Sequence, residues 1–410
     1  MQTYISIFYG AFCLLLTILG AYSTLLSVFS LFRQRPFPKS EKQLRFAVLV
    51  PARNEERCIA GIVESIHQQD YPKELVDIYV IPNHCTDNTA GAALAAGAQI
   101  IQVSSAVQSK GHALQEAFSQ LLTTGSHDAF CVFDADNEPD PRFLSEMNNA
   151  LSSGARAAKS RIFAKNPQES WVCACYDIFF CNANHFLNRA RRRLGLSARL
   201  IGTGFAVRRD LMEELGGWNT TTLTEDAEFY AMLSAQGEKI AFVPGAITYD
   251  EEPISFHQSL IQRRRWVSGI MGVGRMSAPD LLRGVKSGKN KALAFDALAQ
   301  FSFTLIQAWI IPAFLLQAWS DPASAWTGLP TAAVSFYMGA FFTGGMALLL
   351  EDRLTQHTGK ALFLYPLFVF SFLPLQTISL FRPIKVWHPI HHTGLRLYPA
   401  KVSDIRVGSL

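Results

Sequence analysis

Hydrophobic and polar positions divide the chain into three zones. From Tyr4 to Phe32 no residue is charged. About 20 apolar residues cross a bilayer core, so this segment is long enough to span one. Residues 41–255 are mixed in polarity and hold no uncharged run of spanning length. Hydrophobicity returns in Ala297–Ser320, Thr331–Leu350 and Ala361–Phe381, none of which carries a charge. Each reads as a span, four in all, the last kinked or re-entrant because of Pro366 and Pro374. The organisation expected is a transmembrane segment at 1–40, a soluble domain at 41–255, an interfacial helix region at 256–290, transmembrane helices at 291–385 and a tail at 386–410. Arg33 and Arg35 follow the first span and no Lys or Arg precedes it, which places the soluble domain in the cytosol of a multi-pass plasma-membrane protein. Three further spans put the tail outside, whereas Arg382, Lys385, Arg396, Lys401 and Arg406 favour the inside. These two indications conflict.

Within the soluble zone, Arg45–Val50 is a short apolar run ending at Pro51 and reads as a strand. Ile59, Ile62, Val63 and Ile66 recur at helical spacing. Asp77–Ile81 predicts a second strand, Leu114, Ala117, Phe118 and Leu121 a helix, and Ala129–Phe133 a third strand. Strands alternating with helices imply a parallel-rich α/β sheet, whose ligands bind beyond the carboxyl ends of the strands. Arg53-Asn54-Glu55, Asn83 to Asp87 and Asp134 to Asp136 all fall there. Trp171–Leu194 and Phe256–Arg275 mix aromatic or aliphatic residues with arginines, a pattern suited to helices lying at a headgroup boundary.

Composition sharpens this picture in two places. Hydrophobic residues make up 49% of the 410 and charged residues only 17%, which excludes disorder and fits a soluble domain joined to apolar segments. The net charge of +4 is too small to argue for nucleic acid. The seven cysteines fit no zinc-ligand spacing and read as reduced thiols.

Three clusters carry candidate chemistry. Asp134-Ala135-Asp136 places two carboxylates just beyond a strand, a donor set for Mg²⁺ or Mn²⁺ bound to a substrate diphosphate; the plainer reading is an acidic turn. Thr224-Glu225-Asp226 offers a carboxylate to deprotonate an acceptor hydroxyl, or a capped helix start with acidic residues in its first turn. Gln262-Arg263-Arg264-Arg265-Trp266 sets cations for phosphate oxygens beside an indole that can stack on a sugar, or else anchors the chain at a membrane interface.

Taken in order, Val50-Pro51-Ala52-Arg53-Asn54-Glu55-Glu56, Asp134-Ala135-Asp136, Gly202-Thr203-Gly204-Phe205, Thr224-Glu225-Asp226 and Gln262-x-x-Arg265-Trp266 resemble the inverting family-2 glycosyltransferases. Within that family the resemblance is to the membrane-embedded synthases of cellulose, chitin, hyaluronan and poly-N-acetylglucosamine, and it covers roughly residues 44–275. It implies an α/β GT-A-type nucleotide-sugar-binding domain joined to an α-helical membrane domain. It also implies Pro51, Arg53, Glu55, Asn83 and Asp87 around the nucleoside and Lys110 near the donor. Asp134 and Asp136 would hold the nucleotide, with Asp136 on a Mg²⁺ or Mn²⁺ ion, and Asp226 would be the general base. Gly202, Thr203, Glu225, Gln262, Arg265 and Trp266 would sit at the acceptor and diphosphate end.

One departure is visible. Pro82-Asn83-His84-Cys85 stands where many relatives have Asp-Asp-Gly-Ser, so the aspartate expected to read the base is replaced by Asn83 or Pro82, of which Asn83 can still hydrogen-bond a nucleobase. The function expected is transfer from a nucleotide sugar, with UDP the first expectation, onto a growing β-linked polysaccharide with coupled export. The alternative is a single sugar added to a membrane lipid, so the acceptor is a glycan or a glycolipid precursor. A transporter is disfavoured because the three later stretches carry no ionisable residue. The tail's His388, His391 and His392 are assigned to no metal site.

Overall fold

The computed structural model describes residues 1–384 apart from Gln108, together with Gly394. Helix α1 (Gln2–Val28) leads into the sheet domain. There follow β1 (Phe46–Ala52), α2 (Ile59–His67), β2 (Val76–Pro82), α3 (Thr89–Ala95), β3 (Gln99–Ile100), α4 (Lys110–Thr124), β4 (Ala129–Val132) and β5 (Glu138–Pro139). Next come α5 (Phe143–Ser152), β6 (Ala157–Ala164), α6 (Trp171–Asn182), α7 (Ala190–Arg193), β7 (Phe205–Arg208), α8 (Arg209–Glu214), α9 (Glu225–Gln236) and β8 (Ile240–Asp250). The helices α10 (Phe256–Ser287), α11 (Lys291–Gln307), α12 (Ile310–Ser320), α13 (Pro322–Leu350), α14 (Gln356–Ala361), α15 (Tyr365–Phe370) and α16 (Phe372–Phe381) complete the described chain.

The eight strands lie in the order β3-β2-β1-β4-β7-β6-β8-β5. β1 pairs in parallel with β2 and β4, and β7 runs antiparallel to both β4 and β6. Alternation along β1 feeds two cores. Phe46, Val48 and Val50 face Ile62, Phe133 and Phe143, whereas Ala47 and Leu49 face Phe118, Phe130 and Trp218. Trp218 is fully buried and stacks on Phe118 and Phe229 at 5.7 and 4.3 Å. A sheet covered on both faces needs such apolar strands, and this is why β1 and β4 are legible as unbroken hydrophobic runs.

Two expectations change. Among the described residues, Gln2–Leu31 and Pro322–Leu350 are the helices long and apolar enough to cross a membrane individually. Lys291–Gln307 and Ile310–Ser320 form a pair bent by 44°, which makes at most a third crossing, and Tyr365–Phe381 is shorter. The four full spans are therefore reduced, because Pro366 and Pro374 sit in a segment broken at Ser371 rather than one long helix. Trp171–Leu194 is also not an exposed amphipathic surface. Most of α6 is buried against β6, β8, α13 and α15, with Tyr176 and Cys181 fully enclosed. The arginine run after it is drawn inward, where Arg191 makes a buried two-pronged pair with Asp296 at 2.8 and 2.9 Å. The tail residues Trp387, His388, His391 and His392 lie outside the described residues.

Candidate active site

The carboxyl ends of β1, β2 and β4 open onto a cavity of about 820 Å³. The loops after β1 and β2 are tied together on one side of it. Asn54, at φ 60°, accepts a hydrogen bond from the Thr86 N–H at 2.7 Å, and the Glu56 N–H donates to Asp87 at 3.1 Å. Pro51, Arg53, Glu55 and Asn83 border the cavity. Asn83 is 6% exposed; its N–H donates to the Ala52 carbonyl, and its own side-chain oxygen is buried without a partner.

Asp87 stands apart. Its carboxylate is occupied by the Thr89 N–H and hydroxyl and the Glu56 N–H. Burial would raise its pKa, but these donors outweigh that and lower it. It lines a second, smaller cavity of about 360 Å³, which it shares with Asn83.

Lys110 is the hub of the main site. It opens α4, whose preceding Ser109 caps the helix by accepting from the His112 N–H. The ammonium lies 2.7 Å from Asp134 and 2.9 Å from Glu225, and donates to the Gly202 carbonyl at 3.3 Å. Burial works against its charge, yet the two carboxylates prevail and raise its pKa. Glu225 is raised as well, first by burial and then by neighbouring Asp226, against the pull of Lys110. Asp226, in the first turn of α9, accepts from the Gly202 N–H at 2.6 Å.

Behind Asp134 runs a second layer. Thr203 accepts from the Asp134 N–H at 2.9 Å and donates to the Asn137 side-chain oxygen, so it supports the cavity wall rather than lining it. Asn137 donates onward to Asp250 at 3.0 Å. Buried Lys159 donates to the Thr203 carbonyl at 2.6 Å. Burial pulls the Lys159 pKa down to about 7, opposed by Asp250, Asp226 and Asp134. Gly204 makes this approach possible. At φ +63°, a Cβ there would stand 2.5 Å from the Ser160 hydroxyl and 2.6 Å from that of Thr248.

Helix α10 closes the opposite wall with Gln262, Arg265 and Trp266. Gln262 accepts from the Tyr176 hydroxyl at 2.7 Å, and Trp266 meets the Tyr176 ring edge-on at 5.9 Å. Gly269 lets α10 ride against the start of α9, since a Cβ there would meet Thr224 at 2.3 Å. Thr224 precedes α9 without making a side-chain cap. The helix-cap reading of this segment is thus satisfied by backbone position only.

The profile of the glycosyltransferase-like family 2 matches residues 43–269, more than half of the chain. This chain is a family-2 glycosyltransferase. A probable glycosyltransferase of Bacillus subtilis, YdaM, is 29% identical over 251 residues, which is 58% of each protein. The chain therefore spans less than two thirds of that relative. A beta-monoglucosyldiacylglycerol synthase of Nostoc is 27% identical over 378 residues, 85% of this chain and 76% of the relative. The mannosyltransferase PcManGT from Pyrobaculum calidifontis, solved with GDP-Man and Mn²⁺, superposes with a TM-score of 0.61 at 18% identity, over 93% of this chain and 99% of that one. Its fold is the GT-A-type α/β fold expected for residues 41–255, here carried with apolar helices at both ends.

The mannosyltransferase neighbour was solved with Mn²⁺, and the donor set here suits such an ion. Asp134, Asp136, Asp250, Glu251 and Glu252 all border the cavity, a wall of hard oxygen ligands. Burial, then Asp136 and Asp134, drives the Asp250 pKa well above the usual carboxylate range, against the opposing charges of Lys159 and Lys110. Among the described residues no three His, Cys, Asp or Glu side chains form a ready-made metal site.

In this glycosyltransferase the structure brings Pro51, Arg53, Glu55, Asn83, Lys110, Asp134, Asp136, Gly202, Glu225, Asp226, Gln262, Arg265 and Trp266 to one cavity. Thr203 sits behind it and Asp87 beside it. Sequence reasoning missed Asp250-Glu251-Glu252, although an acidic run ending a strand was the signal already used at Asp134. Pro244 and Gly245 interrupt the β8 pattern and hid the strand. It also missed Lys159, a buried cation in the largely apolar β6, and Arg199, which lines the cavity near Asp226.

Proposed function

We propose that this chain moves a sugar from a nucleotide sugar to a hydroxyl of a membrane lipid, inverting the anomeric carbon. One observation carries this reading. The cavity that holds Asp134 and Asp226 is continuous with a wall built from the apolar helices, including Ser23 and Thr24 of α1, Thr304 of α11, Thr343 of α13 and Leu373 of α16. An acceptor anchored in a bilayer can reach the sheet domain along that wall. The glucosyldiacylglycerol synthase relative acts, by its name, on such a lipid.

In this reading Pro51, Arg53, Glu55 and Asn83 hold the nucleoside, with UDP the first donor to test, and Asp87 orders the loops beside it. Asp134 and Asp136 would hold the diphosphate and its Mg²⁺ or Mn²⁺ ion, Asp136 as a direct ligand, and the chemistry such an ion would supply is neutralisation of charge on the leaving group. Lys110 keeps Asp134 and Glu225 together before the donor binds. Asp226 takes the proton of the attacking hydroxyl. Gly202 fixes that carboxylate through its N–H, and Thr203 fixes Asp134 from behind. Arg265 faces the diphosphate, and Gln262 and Trp266 border the acceptor. The sheet domain faces the cytosol, where nucleotide sugars are made, with α1 and the helices after α10 in the plasma membrane.

The second reading is a polymer synthase, favoured by the Gln262-x-x-Arg265-Trp266 cluster. Incubating purified protein with a panel of nucleotide sugars, Mg²⁺ or Mn²⁺, and lipid micelles decides between them. A single glycolipid of fixed mass supports lipid transfer. A ladder or high polymer overturns it in favour of the synthase, and no release of nucleotide diphosphate from any donor overturns both.

A further inference from the structure

The membrane-side wall of the cavity carries scattered hydroxyls, at Ser23, Thr24 and Ser27 of α1, Thr304 of α11 and Thr343 of α13, and, on α11 and α16, one pair of side-chain amides. Gln307 ends α11 at the break in the bent helix pair, and Gln376 lies in the middle of α16. Both border the cavity. Gln376 donates to the Gln307 side-chain oxygen at 3.2 Å, and the neighbouring Thr377 hydroxyl donates to the Ala308 carbonyl freed by the break, at 3.0 Å. Gln376 is 6% exposed, and its own oxygen is buried with no partner. Amide groups among apolar helices are costly unless hydrogen-bonded. Two amides joined by one bond leave one carbonyl oxygen and one amino group over, whichever way each is turned. That is one acceptor and one donor, the complement of a hydroxyl beside an ester.

The charges of the cavity are distributed unevenly. Every charged residue lining it comes from the sheet domain, its loops or α10, and α1, α11, α13, α15 and α16 contribute none. Arg191, a cavity-lining cation that packs against α11, is already taken by Asp296, so a phosphate carried by an acceptor would enter along helices that offer no cation of their own. An uncharged polar head meets no such penalty.

We propose that Gln307 and Gln376 form a subsite that hydrogen-bonds the uncharged, hydroxyl- and ester-bearing head of the lipid acceptor and positions its hydroxyl for transfer. This rests on the lipid-transfer reading above and specifies the chemistry of the acceptor. Neither glutamine contacts the donor side, so both are positioning residues. The test measures glycolipid formation on dioleoylglycerol and on dioleoyl phosphatidic acid, in mixed micelles, with the nucleotide sugar that the donor panel identifies. Gln307→Met and Gln376→Met keep side-chain volume and remove the amides. Each is expected to raise the KM for dioleoylglycerol about ten-fold, the worth of one neutral hydrogen bond, with the KM for the nucleotide sugar unmoved. Gln376→Asn, which restores an amide, is expected to recover part of the loss. An unmoved acceptor KM in both Met variants overturns the subsite. Preference of the wild type for dioleoyl phosphatidic acid overturns the uncharged head. A wild type that glycosylates neither lipid yet releases nucleotide diphosphate overturns the lipid reading beneath it.

Discussion

Three adjacent arginines on α10 look alike in sequence, and the structure separates them. Arg263 is fully buried. Its guanidinium donates to the Phe368 carbonyl at 2.9 Å and the Ser371 hydroxyl at 2.8 Å, and lies 4.0 and 4.8 Å from the centres of the Phe368 and Phe372 rings. It therefore clamps α10 to the break between α15 and α16. Arg265 borders the cavity instead. In Arg263→Met the two charged-donor bonds, roughly 1.5–3 kcal/mol each, and a desolvated cation–π contact of about 2 kcal/mol are lost. Against this, the cation no longer has to be stripped of water, a penalty of several kcal/mol. The net destabilisation is then about 2–4 kcal/mol rather than the sum of the contacts. At about 2 °C per kcal/mol for large chains, the melting midpoint should fall by about 4–8 °C. Arg265→Met should leave the midpoint within about 1 °C, as surface changes do, and weaken nucleotide diphosphate binding. The assay is thermal unfolding in detergent paired with isothermal titration of nucleotide diphosphate in Mn²⁺. If Arg263→Met melts like wild type, or Arg265→Met binds like it, the division of labour on α10 is wrong.

Three further outcomes follow from the site. Asp226→Asn keeps an acceptor for the Gly202 N–H but removes the base, so turnover should fall about 10²–10⁴-fold with donor affinity kept; near-normal turnover would return Asp226 to a structural role. Asp136→Ala should abolish the Mn²⁺ dependence of nucleotide diphosphate binding in a protein that still melts cooperatively, and unchanged metal dependence refutes its assignment as a ligand. Gly204→Ala meets two hydroxyls and a left-handed backbone at once, so it should lower the melting midpoint and expression, whereas Gly272→Ala on α10, with open space at its Cβ, should not; equal behaviour of the two would argue against the close packing at Gly204.

The parallel half of the sheet was legible because β1 and β4 are buried on both faces, β2 is a short largely apolar run, and each is followed directly by its polar loop. The mixed half, in which β7 runs antiparallel to β4 and β6 while β6 and β8 are parallel, was not. β6 carries Lys159 and Arg161 among apolar residues, β8 is broken by Pro244 and Gly245, and β5 is two residues long. Their strand character comes from pairing partners far along the chain. The site was legible where a carboxylate follows a strand that is itself unbroken in sequence, as at Asp134, or where residues sit in a compact cluster, as at Gln262 to Trp266. What pattern alone does not reveal is direction. Thr203 and Asp87 are the right residue types in the right loops, yet their side chains serve the backbone of neighbouring segments. Likewise Trp171–Leu194 has the composition of a surface helix, and only the packing of α13 and α15 over it explains its burial.

The strand order has a consequence for synthesis on the ribosome. β1, β2, β3 and β4 pair with one another as they emerge, but β6 sits between β7 and β8, both made after it. From the time residue 164 leaves the exit tunnel until residue 250 does, at least one edge of a largely apolar strand is incomplete, and both are until β7 emerges. At about 5–20 residues per second, that window lasts roughly 4–17 s. Open edges recruit other chains, and α1, already made and apolar, is the one segment able to hold the nascent domain at a membrane, apart from its siblings, during that interval. A chain lacking residues 1–32 should accordingly yield less folded protein when translated than when slowly refolded from denaturant.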